Sequence, residues 1–202
     1  MKRIHGHISA RRAAVAFVLV ALVAGAVLAG SAAARGPGQG LRDPGQGLAL
    51  VAPAASLTAD EKAALRYMRE EELVAHDLYA AFAKQYPTVP AFARIATSET
   101  RHASAVAVLL DRYGIVDPAA SHVAGTFTDP ALQALYDRLL AKGSVSLAAA
   151  ADVGVIVEKQ DIADLQERLA IVQAADVEQV FESLLAGSQN HLRAFTSLAA
   201  RF

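Results

Sequence analysis

Large apolar residues recur at alternating three- and four-residue steps in four long segments of this chain. In residues 90–113, Phe92, Ile95, Val106 and Leu109 follow this spacing, which is the period of a helix face buried in a core. The other segments carry the same pattern at Leu65, Met68, Tyr79 and Phe82, at Leu147, Ala151, Gly154, Leu165 and Val172, and at Val177, Val180, Leu184, Phe195 and Leu198. The pattern predicts four long amphipathic helices.

Residues that start and stop helices bound these segments. Thr58 and Glu61 form a capping box at the start of the first helix, which is predicted to run to residue 84. Gly114 is a natural left-handed terminator for the second helix, residues 90–113. A short helix is predicted over 130–142, with Asp129 as its cap and Gly143 as its stop. The third long helix is predicted to run from its cap Ser146 to residue 173, and the fourth from its cap Asp176 to residue 200.

The connection between the second and third long helices is much longer than the other two and contains the short helix. Short connections join antiparallel neighbours, whereas a connection of this length can cross a bundle. The sequence therefore predicts an all-α fold, a four-helix bundle of two hairpins with a long crossover that carries a short extra helix.

Acidic and histidine residues interrupt the apolar stripes near the middle of the long helices. Glu99 and His102 stand three residues apart, so both project from one face of the second helix. On its own, such a pair is explained at least as well by a solvated helix face. Glu72 lies at the centre of the first stripe, and Glu70 and Glu71 are expected well off it.

The third and fourth long helices show the same feature. Glu158 and Asp161 interrupt the third stripe, and Ser188 and His191 lie on the fourth. Burying such groups without partners would cost several kcal/mol each. A metal shared by all four helices accounts for them most simply.

Four segments that contain these residues resemble a known family. They are MREEEL at 68–73, SETRH at 98–102, DIADL at 161–165 and NHLRAF at 190–195. Their order is similar to that of the ferritin-like superfamily of di-iron and di-manganese carboxylate bundles. More closely, residues 57–202 resemble the bacterial and archaeal ferritin-like domain-of-unknown-function family 2202. The resemblance implies the ferritin-like fold, in which a long crossover joins two helical hairpins.

The resemblance also implies the ligands of two metal positions. Glu72 would be a terminal ligand, Glu99 a bridging ligand and His102 the imidazole of the first position. Glu158 and His191 would serve the second position. These side chains come from all four long helices, so the implied centre lies inside the bundle.

The fourth long helix departs from the superfamily pattern. Ser188 stands three residues before His191, where the superfamily has Glu, and Glu178 and Glu182 project from the sides of the helix. Asp161 could supply the missing oxygen. The prediction is therefore either an asymmetric dinuclear centre or a site for one metal ion.

The ligand types restrict the metal and its chemistry. Carboxylates with two imidazoles and no sulfur suit iron, manganese or zinc. The resemblance favours iron first and manganese second, ahead of zinc, and implies oxidase or peroxidase chemistry on O₂ or peroxide. The chain contains no cysteine, so it has no rubredoxin-like iron site to relay electrons, and a redox cycle would need an outside donor.

Two further functions fit the same residues. One is a bundle of the cell envelope that sequesters metal, or that is purely structural or docks a partner, without catalysis; the missing carboxylate and the missing electron relay favour it. The other is a storage cage, which requires a homo-oligomer.

The first residues resemble a secretory signal. Four basic residues precede an apolar run over 13–28, and three alanines at 32–34 offer a cleavage site. Residues 1–34 are therefore predicted to be a signal peptide of an exported protein, and Arg11 with Arg12 raises the twin-arginine route as an alternative to the general one. The other alternative is an uncleaved membrane anchor, although the run is short of the ~20 residues that a spanning helix prefers.

Residues 35–55 contain two copies of PGQGL and are predicted to be a flexible linker before the domain at 56–202. Loss of residues 1–34 removes four basic and no acidic side chains, which leaves 15 Lys and Arg against 20 Asp and Glu, a net charge of −5. This charge disfavours a nucleic-acid partner. The remaining 168 residues suffice for one domain with a full core, and no membrane span is expected after cleavage.

Other polar residues near the stripes have two interpretations each. Tyr79 could hydrogen-bond a metal ligand or be an ordinary core tyrosine. His76 could orient a carboxylate, but a place at the edge of the stripe is favoured. His122, in the crossover loop, is expected to be exposed. Arg101 and Arg193 are expected to pair with surface acids, or else to balance the negative charge of the site.

Overall fold

Five α-helices make up the computed structural model, which describes residues 50–54 and 56–202. They are α1 (Ala59–Gln85), α2 (Pro90–Arg112), α3 (Pro130–Gly143), α4 (Leu147–Leu169) and α5 (Ala175–Ala199). The described residues contain no strand, which confirms the all-α prediction, and none of their helices is long and apolar enough to cross a membrane. The predicted signal peptide and the linker residues 35–49 and 55 lie outside the described part of the chain.

Three of the predicted helix caps are confirmed, and α2 begins at Pro90 as predicted. Thr58 Oγ1 accepts from Glu61 N–H at 3.1 Å, and Glu61 Oε2 accepts from Thr58 N–H at 2.8 Å, which completes the capping box of α1. Asp129 accepts from the first N–H groups of α3, and Ser146 caps α4 by accepting from Ala149 N–H at 3.1 Å. These side chains satisfy N–H groups that the start of a helix leaves without partners.

The start of α5 differs from the prediction. The N-cap is Ala174, which has no side chain to accept a hydrogen bond, and Asp176 lies inside the first turn, fully buried. The Asp176 carboxylate accepts from Arg112 Nη1 at 2.8 Å and from the Tyr113 hydroxyl at 2.6 Å. Glu61 instead accepts from Ala174 N–H at 2.9 Å. Asp176 therefore fastens the end of α2 to α5 and does not act as the cap.

The helix ends agree only in part with the prediction. Gly114 has φ +61°, a left-handed conformation that favours glycine, and follows the end of α2 as predicted. Gly143, the predicted stop of α3, is instead its last helical residue, and a Cβ at this position would lie 2.2 Å from the Phe82 ring. α4 ends at Leu169, four residues before the predicted end, because the next backbone turn closes on Arg168 O.

The helices pack as two hairpins. α1 lies along α2, and α4 lies along α5, each pair joined by a short connection. α2 also contacts α5 and α1 contacts α4, so the hairpins share one interior, while α3 packs on α1 and α4. The result is a helical bundle whose two hairpins are joined by a long connection that contains α3.

The apolar core consists of two parts. Phe82 and Phe195 belong to one part, and Leu109 and Phe181 belong to the other. Each long helix passes from one part to the other near its predicted metal ligand, as α5 does at His191. A polar layer therefore separates two apolar layers, and this layer contains the candidate site.

The described end of the predicted linker, residues 50–54, lies against the bundle. The carbonyl oxygen of Val51 accepts from Arg112 Nη1 at 2.9 Å, and Ala54 N–H donates to the Tyr113 hydroxyl at 2.9 Å. The ordered contacts of the bundle therefore begin before residue 56.

Candidate metal centre

The polar layer brings together five of the six predicted ligands. Glu72 comes from α1, Glu99 and His102 from α2, Glu158 from α4 and His191 from α5. Each of the three glutamates is 2 % exposed, and His191 is 8 % exposed. Since burial removes the hydration that charged groups have in water, these groups must satisfy one another or an ion.

Glu99 lies at the centre of the group. Its Oε2 is 2.8 Å from His102 Nδ1, one helical turn along α2, and its Oε1 is 2.8 Å from His191 Nδ1 on α5. His102 Nδ1 also lies 3.2 Å from Glu72 Oε2, and His191 Nδ1 lies 3.7 Å from Glu158 Oε2. Glu99 thus joins two groups of three side chains, and each group contains one imidazole.

Glu99 and His191 form an ion pair that lacks the geometry of a hydrogen bond. Glu99 Oε1 and His191 Nδ1 are only 2.8 Å apart, yet neither atom has a hydrogen-bond partner and both are closed to solvent. Glu72 Oε1 is also buried without a partner. Buried polar atoms in proteins are almost always hydrogen-bonded, so this arrangement fits a cation held between the facing atoms.

The distances in the group agree with metal coordination. Ligand atoms lie about 2.1 Å from an octahedral ion such as Mg²⁺, so two of them at right angles lie about 3 Å apart. One ligand atom from each of Glu99, His102 and His191 lies within 4.8 Å of the others, and the two imidazole rings stack with centroids 5.4 Å apart. The geometry therefore accommodates one ion among these three residues or two ions on either side of Glu99.

In the metal-free protein the centre relies on protons for charge balance. Burial would raise the pKa of Glu99, but the two imidazoles beside it lower that pKa to about 2. Burial opposes the charge on His102 and His191, but their carboxylate neighbours raise the pKa of His102 to about 11 and that of His191 to about 9. Both histidines therefore carry a positive charge at neutral pH.

The pKa values of the other two glutamates, Glu72 and Glu158, are raised, whereas that of Glu99 is lowered. Burial raises the pKa of Glu72 to about 8, although hydrogen bonding to His102 works against the rise. Burial likewise raises the pKa of Glu158 to about 7. An ion that binds here has to displace protons from these groups and from the imidazoles, so its affinity must depend on pH.

Asp161, the sixth predicted ligand, lies one turn after Glu158 on α4. It is 5 % exposed, and its Oδ1 has no hydrogen-bond partner. Burial first, and then the charge of Glu72, raise the pKa of Asp161 well above its usual value. Asp161 therefore lies beside the group of five.

Ser188 occupies the position where the superfamily pattern has a glutamate. It is buried, and its hydroxyl donates to Leu184 O at 2.9 Å and lies beside Asp161. Glu178 and Glu182 are exposed, as the sequence predicts. Among the residues of α5, all of which are described, no carboxylate reaches the centre.

Tyr79 hydrogen-bonds a predicted ligand. Its hydroxyl donates to Glu158 Oε1 at 2.6 Å, and its ring packs on Phe195 with centroids 4.8 Å apart. The bond orients the Glu158 carboxylate so that Oε2 faces His191. Burial, followed by the charge of Glu158, raises the pKa of Tyr79 well above its usual value, so the hydroxyl keeps its proton. Tyr79 therefore belongs to the apolar core and also hydrogen-bonds Glu158, a predicted ligand.

The other polar residues considered from the sequence lie away from the centre. His76 Nδ1 and His122 Nε2 bond to the two oxygens of Asp77, at 2.8 and 2.9 Å. The prediction that His122 is exposed is wrong, because the crossover loop folds over Asp77 and leaves the His122 side chain 18 % exposed. Arg101 and Arg193 are exposed.

Glu70 and Glu71 are buried, although the sequence predicts that both lie well off the stripe that contains Glu72. Both are 4 % exposed. Glu70 accepts from the N–H groups of Thr128 and Asp129 at the start of α3. Both oxygens of Glu71 are closed to solvent and have no hydrogen-bond partner. The periodicity of α1 predicts one buried face, whereas α3 and α4 bury a second.

Gly187 is a further residue of the centre that sequence reasoning missed. A Cβ at this position would lie 2.6 Å from Cε1 and Nε2 of His102. Glycine therefore lets the His102 ring lie directly against the backbone of α5. A glycine inside a predicted helix was the one signal in the sequence, because glycine weakens a helix unless close packing requires it.

Comparisons with known proteins agree with the closer of the two resemblances seen in the sequence, the one to family 2202. Residues 61–200 match the uncharacterized protein domain DUF2202. The chain is 38 % identical over 146 residues to the uncharacterized protein MJ0754 of Methanocaldococcus jannaschii, which covers 72 % of this chain and 78 % of the relative. The crystal structure of hypothetical protein MJ0754 from Methanococcus jannaschii DSM 2661 superposes with a TM-score of 0.72 at 36 % identity, over 75 % of this chain and 86 % of that chain. Since the match spans more than half of the sequence and includes every residue of the polar layer, this chain belongs to the DUF2202 family.

Proposed function

We propose that this domain is a ferritin-like metal-binding protein whose polar layer holds iron or manganese at a carboxylate-bridged centre and supports oxidation by O₂ or peroxide. One observation carries the proposal. Glu99 Oε1 and His191 Nδ1 face each other 2.8 Å apart, buried and without a hydrogen bond, while Glu99 Oε2 lies 2.8 Å from His102. Carboxylate oxygens with imidazole nitrogens and no sulfur suit these metals.

The proposed centre has two positions that share one carboxylate. Glu72 and His102 serve the first position, Glu158 and His191 serve the second, and Glu99 bridges them. The lowered pKa of Glu99 keeps it ionised at physiological pH, so it can accept two cations without first losing a proton. When loaded, iron or manganese would supply the electron exchange with O₂ or peroxide.

Neighbouring residues prepare the second position. The Tyr79 hydroxyl holds one oxygen of Glu158 at 2.6 Å and leaves the other free for an ion. Asp161 lies one turn after Glu158, on the side where α5 has Ser188. Apolar residues on both sides of the layer exclude water, which strengthens the electrostatic interactions inside. Because the chain lacks cysteine, electrons for a repeated cycle would come from an outside donor.

A non-catalytic metal-sequestering bundle is the second candidate. Ser188 leaves the second position with one carboxylate fewer than the superfamily pattern, and the chain has no cysteine relay. A protein of this kind would bind the same ions but would not turn over. Zinc, which the same ligands suit, would be compatible with this candidate only.

Elemental analysis of the protein, purified without affinity-column metals, tests metal binding. Two iron or manganese ions per chain are expected in the wild type after anaerobic loading. Glu99→Ala should lose both ions, and His191→Ala should lose the second one. Glu182→Ala, which removes an exposed carboxylate from the same helix as His191, is the matched control and should retain both.

Each result separates the candidates. One ion per chain would contradict the dinuclear centre and support a single site altered by Ser188. No ion after loading would contradict metal binding and leave a structural or docking bundle. With two ions present, oxidation of the Fe²⁺ protein by O₂ or H₂O₂ with repeated turnover on added reductant supports the redox function, and a single oxidation or none supports sequestration.

The location and assembly of the protein belong to the same proposal. We propose export through residues 1–34, so sequencing of the protein from the cell envelope should find Arg35 at its amino terminus. Size-exclusion chromatography would separate a small oligomer from a storage shell. Residues 1–34 retained on a membrane-bound protein would support the anchor instead.

A further inference from the structure

A small cavity lies between α1, α3 and α4, beside the proposed centre. Its volume is about 90 Å³, and Glu71 of α1 and Asp161 of α4 line it together with mainly apolar side chains. Arg138 and Gln160 also line it and are exposed, so they lie where the cavity meets solvent. A site for one water molecule needs about 10–15 Å³, so the cavity has room for an ion with part of its hydration shell.

Glu71 has no hydrogen-bond donor in this cavity. It is 4 % exposed, and neither carboxylate oxygen has a hydrogen-bond partner or contact with solvent. Asp161 Oδ1 is likewise closed to solvent and has no hydrogen-bond partner. Asp164, one turn along α4, also lies beside Glu71, but it accepts from Gln160 Nε2 at 2.7 Å and pairs with Arg168 at 3.4 Å. Glu71 and Asp161 therefore present three buried oxygens that lack donors.

These oxygens are chemically suited to a hard cation. Carboxylates ligate Mn²⁺ and Fe²⁺ through oxygen, and a partly hydrated ion completes its coordination with water. The positive charge of Arg138 is exposed and therefore screened by solvent, so it does not supply the missing partner of the two buried carboxyl groups. Glu71 precedes Glu72, and Asp161 follows Glu158 by one turn, so the cavity adjoins the centre.

We propose that Glu71 and Asp161 form a second divalent-cation subsite, which holds a partly hydrated Mn²⁺ or Fe²⁺ between the cavity and the histidine-containing centre. The inference rests on the proposed function, because the subsite leads to that centre. Glu71 is distinct from the ligands that the superfamily pattern supplies, and its role is to bind the ion before imidazole does.

Mn²⁺ binding to the whole protein tests the subsite. Crystals soaked in Mn²⁺ should show an anomalous peak between the Glu71 and Asp161 carboxylates as well as peaks at Glu99. In Glu71→Gln the peak beside Asp161 should disappear while those at Glu99 remain, and equilibrium dialysis should find one Mn²⁺ per chain fewer than in the wild type. Asp152→Asn, which neutralises an exposed acid on α4, should bind as the wild type does.

The outcomes distinguish this inference from the proposed function. Peaks at Glu99 without one at Glu71 would overturn the subsite and leave the centre intact. An unchanged Mn²⁺ count in Glu71→Gln would also overturn it and would mean that the two carboxylates share a proton. Absence of Mn²⁺ from both places would contradict the proposed centre itself. Circular dichroism of Glu71→Gln checks that the helices are retained.

Discussion

Two sets of buried acids in this bundle differ in what surrounds them. The satisfied acids accept hydrogen bonds from backbone N–H groups or from basic or hydroxyl side chains, and they are Glu61, Glu70, Asp77 and Asp176. The open acids have at least one oxygen without any donor, and they are Glu71, Glu72, Glu99 and Asp161. Both sets are buried to the same degree. Burial alone therefore does not mark a site, whereas unmet hydrogen bonding does.

The two sets also lie in different places. Satisfied acids lie where helices begin or where loops return to the bundle, as Glu61 does at the start of α5 and Asp77 under the crossover loop. Open acids lie near the middle of α1, α2 and α4, away from the helix starts and the loops. The first set stabilises the fold, and the second is retained at a cost in stability that an ion would offset.

The largest expected difference is the pH dependence of the metal-free protein. The raised pKa values of Glu72 and Glu158, about 8 and 7, and of His102 and His191, about 11 and 9, mean that the folded state binds more protons than the unfolded state. The free energy of unfolding should therefore fall from pH 5 to pH 9. The fall is about 1.4 kcal/mol per pH unit for each proton that the folded state binds in excess of the unfolded state. The lowered pKa of Glu99 contributes only below pH 4.5, where its stabilisation is lost.

Urea unfolding at successive pH values measures this trend. Saturating Mn²⁺ should weaken or reverse it, because the ion favours the deprotonated ligands. A free energy of unfolding that stays constant or rises from pH 5 to pH 9 without metal would contradict the assignment of the open acids.

Neutralising one acid of each set should have opposite consequences. Asp176→Asn should lower the free energy of unfolding by about 2–3 kcal/mol, because Arg112 and Tyr113 lose a charged partner that is completely buried. Glu72→Gln should leave the metal-free protein as stable as the wild type or more stable, since it replaces a buried acid whose Oε1 lacks a donor by a neutral side chain of the same size. Urea unfolding at pH 7 without metal compares the two variants. Equal losses in the free energy of unfolding would contradict the distinction between satisfied and open acids.

A methyl group on Gly187 should damage the centre more than the fold. Gly187→Ala places a Cβ 2.6 Å from the His102 ring, so the ring must turn away, and Mn²⁺ affinity should fall about 10- to 100-fold. Gly143→Ala is the matched control because its Cβ would crowd Phe82, far from the layer. It should cost about 1–3 kcal/mol of stability and leave the affinity unchanged. Calorimetric titration with Mn²⁺ measures both, and equal affinities would refute the role of Gly187.

Removal of the Tyr79 hydroxyl should have a moderate effect. Tyr79→Phe keeps the ring in the core but frees Glu158 Oε1, so Mn²⁺ should bind about tenfold more weakly while the free energy of unfolding changes little. Tyr136→Phe, which alters a buried tyrosine of α3, should bind Mn²⁺ normally. If Tyr79→Phe also binds Mn²⁺ normally, Tyr79 is an ordinary core tyrosine and has no role in metal binding.

Loss of His122 should have the smallest effect. His122→Ala removes one of several partners of Asp77, which keeps His76 and the N–H of Gly125, so the melting temperature should fall by a few degrees, or about 1 kcal/mol. Mn²⁺ affinity should not change, because Asp77 is a satisfied acid. A lower affinity would mean that the two sets are coupled.

Local sequence signals predicted most of the fold. Three helix starts could be predicted from their capping residues, Thr58, Asp129 and Ser146. Each of these side chains accepts a hydrogen bond from an N–H group within three residues, which is a purely local interaction. The start of α5 was not predictable in this way, since Ala174 carries no capping group. The role of Asp176 depends on Arg112, 64 residues earlier in the chain.

The candidate site shows the same limit. Glu72 and Glu99 could be found because they interrupt an apolar stripe, and the period of a helix places them inward. Glu71 could not, because a second buried face of α1 exists only once α3 and α4 have packed on it. Gly187 could not be predicted as a site residue for a similar reason, since only the assembled bundle shows that the His102 ring packs against its backbone.

The stacked imidazoles have a consequence for the topology of the chain. His102 belongs to the first hairpin and His191 to the second, so an ion held with Glu99 would close the intervening chain into a loop without a covalent bond. Closing a long loop restricts the unfolded chain and ties the two hairpins together. The hairpins could then separate only after the ion departs, so the rate at which a chelator strips the metal would report how often the bundle opens.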